Sequence, residues 1–107
     1  MTADILGTKY SIHFKSPSED KLLQECDGYC DYSSKKIVVT TENIDLEDFP
    51  FYQRKCLRHE LVHAFMFESG LGSNWEHKDI GHEETTVDWI AFHFPKMLEV
   101  FQKVGAL

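Results

Sequence analysis

From Phe51 to Ser69 the chain reads FYQRKCLRHELVHAFMFES, a run with neither proline nor glycine. Pro50 stands before it, where a fixed φ suits the first turn of a helix. Gly70 follows it, the residue type favoured just past a helix C-terminus. The run predicts one helix of about five turns. In a chain of 107 residues such a helix dominates the fold, and everything else has to pack against it.

The residues ahead of this helix favour strands. Lys9–Lys15 (KYSIHFK) alternates Tyr10, Ile12 and Phe14 with more polar neighbours, as a half-buried strand does. SPSED at 16–20 is a turn, with a short helix predicted around Lys21–Gln24. Gly28–Tyr32, Ser33-Ser34 and Lys35–Thr40 (KKIVVT) read as a hairpin, because Ile37, Val38 and Val39 are β-branched. An acidic connection, Thr41–Pro50, leads into the helix. After it, GLGSNWEHKDIG at 70–81 reads as a loop.

A second helix is expected to start near His82. Val87, Ile90, Ala91, Phe94, Leu98 and Phe101 recur at helical spacing and mark its inward face. Pro95 has no N–H for the carbonyl of Ala91, so a kink or break is expected there. The expected class is α+β: a short N-terminal antiparallel sheet followed by two helices, as one domain over residues 1–107.

Composition narrows the function. The net charge is -7, with 42% hydrophobic and 27% charged residues. No stripe of Lys or Arg forms, so nucleic acid is not an expected partner, and an acidic surface is repelled by anionic lipid. No apolar run approaches the length of a membrane span. MTADILGTKYS lacks the basic and apolar regions of a signal peptide. Three cysteines, Cys26, Cys30 and Cys56, are an odd number, which fits reduced thiols in the cytoplasm. Cys26 and Cys30 have C-x3-C spacing, but no second pair of ligands follows to complete a metal site.

The long helix carries His59-Glu60-Leu61-Val62-His63. Residues four apart differ by about 40° around a helix and about 6 Å along it. His59 and His63 can therefore reach one ion, and neutral imidazole is a preferred zinc ligand. Glu60, turned about 100° from His59, is free to face a water beside the metal. Leu57, Leu61, Val62, Ala64, Phe65, Met66 and Phe67 surround the pair, which predicts that the histidines are buried. Buried imidazoles need partners, and a metal supplies them.

A catalytic zinc needs a third protein ligand and an open position. After twenty intervening residues the second helix begins with Glu84-Thr85-Thr86-Val87-Asp88. Glu84 is the expected third ligand. Asp88, four residues on, can accept the second N–H of a ligand histidine and fix its tautomer. Glu83 is the alternative ligand, but no acidic residue stands four positions after it. Residue 69 is Ser69, so the longer HExxHxxGxxH pattern is excluded. His13 and His93 have no motif around them and are expected to be structural.

HELVH followed by EETTVD resembles the gluzincin plan of an HExxH helix and a Glu-bearing helix. The order of strand, hairpin, HExxH helix and Glu helix, over about Gly28 to Pro95, resembles the ImmA/IrrE-like metallopeptidases of phages, mobile elements and bacterial regulators. In that family the second helix commonly runs E-x-x-A-N-x-F-A. Here it runs Glu84 to Ala91, with Asp88 where Asn is frequent. The resemblance implies a small zincin-like domain that hydrolyses peptide or protein substrates with Zn²⁺.

On that reading His59, His63 and Glu84 hold zinc, and Glu60 is the general base. His77, His82 and Tyr52 are candidates for stabilising the oxyanion. The Lys35–Thr40 strand is expected to be either the sheet edge that receives an extended peptide or an ordinary core strand. The alternative is a zinc-binding regulatory module that keeps the fold without turnover.

Overall fold

Alternating burial begins earlier than Lys9. In the computed structural model, which describes residues 1–42, 45–71 and 84–107, Thr2–Ile5 already forms a strand, β1. The side chains of residues 84, 85, 87, 88 and 91 lie outside that description. Ala3 and Ile5 point into the core, at 2% and 0% exposure. A two-residue turn, Leu6-Gly7, joins β1 to β2 (Thr8–Lys15), pairing Ile5 with Thr8. Both turn residues have positive φ, 52° and 92°, as the tightest hairpin loops require. Asp4 Oδ1 accepts the Gly7 N–H at 2.6 Å and closes the turn. Leucine is a poor fit to a left-handed conformation, so the usual Asn-Gly or Asp-Gly signature is missing and β1 was not expected.

Tyr10 and Ile12 of β2 are buried as their alternation requires, whereas Phe14 is 42% exposed. One turn of 3-10 helix at Lys21–Gln24 follows, capped by Asp20, whose side chain accepts the Leu22 N–H. The hairpin then forms as β3 (Gly28–Asp31) and β4 (Lys36–Thr40). Asp31 organises its loop, accepting the Ser33 N–H at 3.0 Å and the hydroxyls of Ser33 and Ser34 at 2.6 and 2.8 Å.

The strands lie in the order β1-β2-β4-β3. β1–β2 and β3–β4 are antiparallel, but β2 and β4 run parallel at the centre, with Ile12 beside Ile37. The sheet is thus mixed rather than antiparallel. A hairpin pattern specifies a strand's partner within the hairpin and says nothing about its other neighbour. Here that neighbour is β2. Consequently β4 is an interior strand, and the expected peptide-binding edge at Lys35–Thr40 does not exist. β3 is the outer strand on that side. Interior position explains why Ile37, Val38 and Val39 are all fully buried, since both faces and both edges of β4 are covered.

The long helix, α1, spans Phe49–Glu68. Asp48 caps it by accepting the Phe51 N–H at 3.1 Å, and Pro50 sits in the first turn. Ser69 is the C-cap, and Gly70 takes positive φ (82°) just beyond it. Leu57, Leu61, Ala64 and Phe65 form the buried stripe against β3 and β4. The second helix, α2, spans Glu84–Lys103 and runs through Pro95 without a break.

Met97 and Phe101 of α2, with Val104 and Ala106 after it, join the core. Ile90 and Phe94 lie on the same side of the helix by spacing, yet are 49% and 48% exposed. This corrects the expected inward face. A 20-residue helix is about 30 Å long; among its described residues the fully buried ones, Met97 and Phe101, lie in the C-terminal half, while half-buried Trp89 packs on the core from the N-terminal half. Two polar ties fix the helices: Trp89 Nε1 donates to Ser69 Oγ at 2.7 Å, and Arg58 Nη1 donates to the Ala106 carbonyl at 2.6 Å.

Candidate metal centre

His59 and His63 lie on the outward side of α1, in line with half-buried Tyr52, Cys56 and Phe67 at spacings of three or four residues. Each histidine stands about 160° around the helix from buried Leu61, at 100° per residue. His59 and His63 are accordingly exposed, not buried among the apolar residues near them in sequence. Local apolar density misled the expectation. The helix buries one side only, and both histidines fall on the other.

Their ring nitrogens nevertheless converge. His59 Nε2 and His63 Nε2 are 3.2 Å apart, with the rings edge to face at 72° and 4.8 Å between centroids. Two nitrogens each bound at about 2.0–2.1 Å to one tetrahedral zinc would stand roughly 3.3 Å apart. The pair therefore fits co-ligation of one ion. The same spacing permits a hydrogen bond between a neutral donor ring and a neutral acceptor ring. Although His63 is exposed, partial desolvation of its ring on the helix surface, and then the charge of His59, pull its pKa below the ordinary value, which favours the neutral form that a metal ligand needs.

Glu60 completes the group. One ligand atom from each of His59, Glu60 and His63 lies within 4.8 Å of the others. Glu60 alone of the three is buried, at 7% exposure. Burial pushes its carboxyl above the ordinary value, and the charge of His59 works in the opposite direction. Its neighbour is β3. A Cβ on Gly28 would lie 3.4 Å from both Cγ and Oε2 of Glu60, and 3.1 Å from the Val38 carbonyl oxygen. Glycine lets the strand and the carboxylate approach this closely.

Two thiols share this environment. Cys30, on β3, is pushed up to about 12 by burial, with the charge of Glu60 adding to the shift. Cys56, one turn before Glu60, is also raised by burial. All three cysteines are free, and Cys26 Sγ donates to the Leu22 carbonyl at 3.2 Å. Among the described residues the C-x3-C pair joins no metal-binding group. Tyr52 donates its hydroxyl proton to Asp27, which leaves that proton committed two turns ahead of the histidines.

Glu84 is the first residue of α2, and Asp88 follows one turn later. Their side chains, and all of His77, His82 and Glu83, lie outside the described residues. His13 shares a hydrogen bond with Ser11 at 3.0 Å. His93 packs against Trp89 and Phe92, with ring centroids 4.9 and 5.2 Å apart, and its buried Nδ1 has no hydrogen-bond partner among the described residues.

Three residues near the site were not singled out from sequence. Gly28 was read only as a strand start. Phe67 stacks on His63 at 6.4 Å and on Tyr32 at 4.5 Å. The signal for Phe67 was present, because it stands four residues after His63. Tyr32 carried none, since its approach depends on how the hairpin folds against α1.

No helix among the described residues is long and apolar enough to cross a membrane. No family model, curated protein or solved structure matches the chain.

Proposed function

We propose that this chain is a zinc-dependent peptidase of the gluzincin type, similar to the ImmA/IrrE-like enzymes, acting in the cytoplasm on a peptide or protein substrate. The observation that carries the reading is the 3.2 Å convergence of His59 and His63 Nε2 beside the carboxylate of Glu60. Zinc would acidify a coordinated water and polarise the scissile carbonyl. His59 and His63 would hold the ion, with Glu84 as third ligand and Asp88 orienting a ligand histidine.

Glu60 would accept the proton of the attacking water and pass it to the leaving amine. A raised carboxyl pKa suits both halves of that task, since it brings the group nearer the working pH. β3, rather than β4, would hold the backbone of an extended peptide by strand addition, because its outer edge is unpaired among the described strands. Free thiols at Cys26, Cys30 and Cys56 support a reducing compartment.

A second reading, a zinc-binding module without turnover, is favoured by one observation: Glu60 is buried against β3 instead of standing in solvent. The deciding experiment has two parts. Elemental analysis should find about one zinc per chain, and zinc-loaded protein should cleave members of a peptide library. Zinc without cleavage favours the module. Absence of zinc after loading overturns both readings.

A further inference from the structure

β3 runs in the same direction as the second half of α1. At one end, Gly28 meets Glu60. Just past the other end, Tyr32 stacks face to face on Phe67, with centroids 4.5 Å apart and planes 30° apart. Phe67 in turn stacks on His63 at 6.4 Å and 26°. His59, His63, Phe67 and Tyr32 thus form a continuous aromatic surface leading from the candidate metal centre to the β3–β4 loop. Tyr32 is 55% exposed, a large amount for an aromatic ring already stacked on a neighbour.

The spacing suits a substrate side chain. Phe67 lies one helical turn beyond His63, about 6 Å along α1. An extended peptide advances about 3.3 Å per residue. A peptide lying along β3 with its scissile bond at His59 and His63 would therefore bring a side chain one or two residues away onto Tyr32 and Phe67. Aromatic rings, and flat or large apolar groups, gain most from such a shelf, because offset stacking adds to the area they remove from water.

The geometry points to Tyr32 and Phe67 as a specificity shelf that selects peptides with an aromatic or large apolar residue within two positions of the cleaved bond. This rests on the peptidase reading of His59, Glu60 and His63. It adds a substrate class and two residues that determine it. The charge of the loop agrees, since Asp31 is turned to Ser33 and Ser34 and does not project onto the shelf.

The test compares matched peptides that differ by Phe, Leu, Ala or Gly at single positions around one cleavable bond. Zinc-loaded wild type should prefer Phe over Gly by about tenfold or more in kcat/KM at one position within two of the bond. Tyr32→Ala and Phe67→Leu should each reduce that ratio by about 2- to 10-fold while zinc remains bound. Phe67→Leu keeps most of the apolar volume, so it guards against a folding defect. Phe92→Ala, which removes an exposed ring on α2, should leave the ratio unchanged.

Calorimetry supplies a second readout without turnover. Glu60→Gln protein should bind the Phe peptide more tightly than the Gly peptide, and Tyr32→Ala should erase the difference. Cleavage abolished by Glu60→Gln but indifferent to Phe and Gly overturns the shelf and leaves the peptidase reading standing. Cleavage that survives Glu60→Gln overturns the reading itself. Protein that neither cleaves nor binds any member of the set overturns both.

Discussion

Glu60 closes on the one position of β3 that has no side chain: a Cβ on Gly28 would stand 3.4 Å from its Oε2. This relationship ties the sheet to the chemistry of α1. The strand holds the carboxylate at 7% exposure, and burial raises its pKa. It also makes Gly28 a residue whose enlargement should be felt at the site.

Gly28→Val tests that tie. The added Cβ would lie 3.1 Å from the Val38 carbonyl oxygen, which belongs to the sheet backbone and cannot move freely. Overpacking of this kind costs about 1–3 kcal/mol. Urea denaturation should show the loss. Cleavage should fall as well, because the two γ-methyls extend toward Glu60. A variant as stable and as active as wild type would mean that β3 does not confine the carboxylate.

Metal binding should depend on the ligands unequally. His59→Ala and His63→Ala should each abolish stoichiometric zinc, and Glu84→Ala should weaken it severely. Asp88→Ala should cost about 10–100-fold in affinity, the usual effect of removing a group that orients a ligand. Glu83→Ala should retain the metal. Competition with a chromogenic chelator reads all five. Loss of zinc in Glu83→Ala with retention in Glu84→Ala would reverse the ligand assignment.

Glu60→Gln should separate binding from turnover. Glutamine preserves shape and leaves both histidines intact, so zinc content should remain near that of wild type. Removal of the general base should slow hydrolysis by about 10²–10⁴-fold. Equal rates with zinc retained would take Glu60 out of the mechanism.

Glu68 should carry a pH-dependent part of the stability. At the end of α1, its carboxylate accepts from Lys35 Nζ at 2.5 Å, Tyr10 hydroxyl at 2.7 Å and Thr8 hydroxyl at 3.2 Å. The bond from Lys35 holds its pKa below the ordinary value against an opposing effect of burial, with Tyr10 and Thr8 adding to the lowering. A depressed folded pKa means stability that is present above the unfolded value, near 4.5, and lost as pH falls through the folded one. Glu68→Gln should cost roughly 1–2 kcal/mol at pH 7. Lys35 is 40% exposed, so screening trims its share. The gap between wild type and variant should shrink from pH 6 to pH 3. A gap that stays constant would show that the charge of Glu68 contributes nothing.

Much of this architecture was legible because it is local. Pro50 in the first turn and Gly70 just past the end punctuate α1 by their own conformational preferences, whereas the Asp48 cap was not singled out from sequence. The 3-10 turn at Lys21–Gln24 and the β3–β4 hairpin follow from turn residues and β-branching in the same way. So does the convergence of His59 and His63, because a separation of four on a helix brings two side chains together whatever surrounds them.

The remaining features depend on what lies across a gap in sequence. β4 became an interior strand because β2 paired alongside it in parallel, and no pattern within Lys35–Thr40 encodes that neighbour. Ile90 and Phe94 stayed exposed because the described residues of α2 that meet the core, Trp89, Met97, Val100 and Phe101, are not the ones that periodicity alone singled out, apart from Phe101. The histidines came out and Glu60 went in because α1 turned one side toward β3 and β4, a choice made by Leu57, Leu61, Ala64 and Phe65 together. Spacing along one helix determines which side chains can meet, since its geometry is set by backbone hydrogen bonds. Which of them water reaches, and which stand against Gly28 or Tyr32, is decided only when separate elements compete to bury their apolar sides.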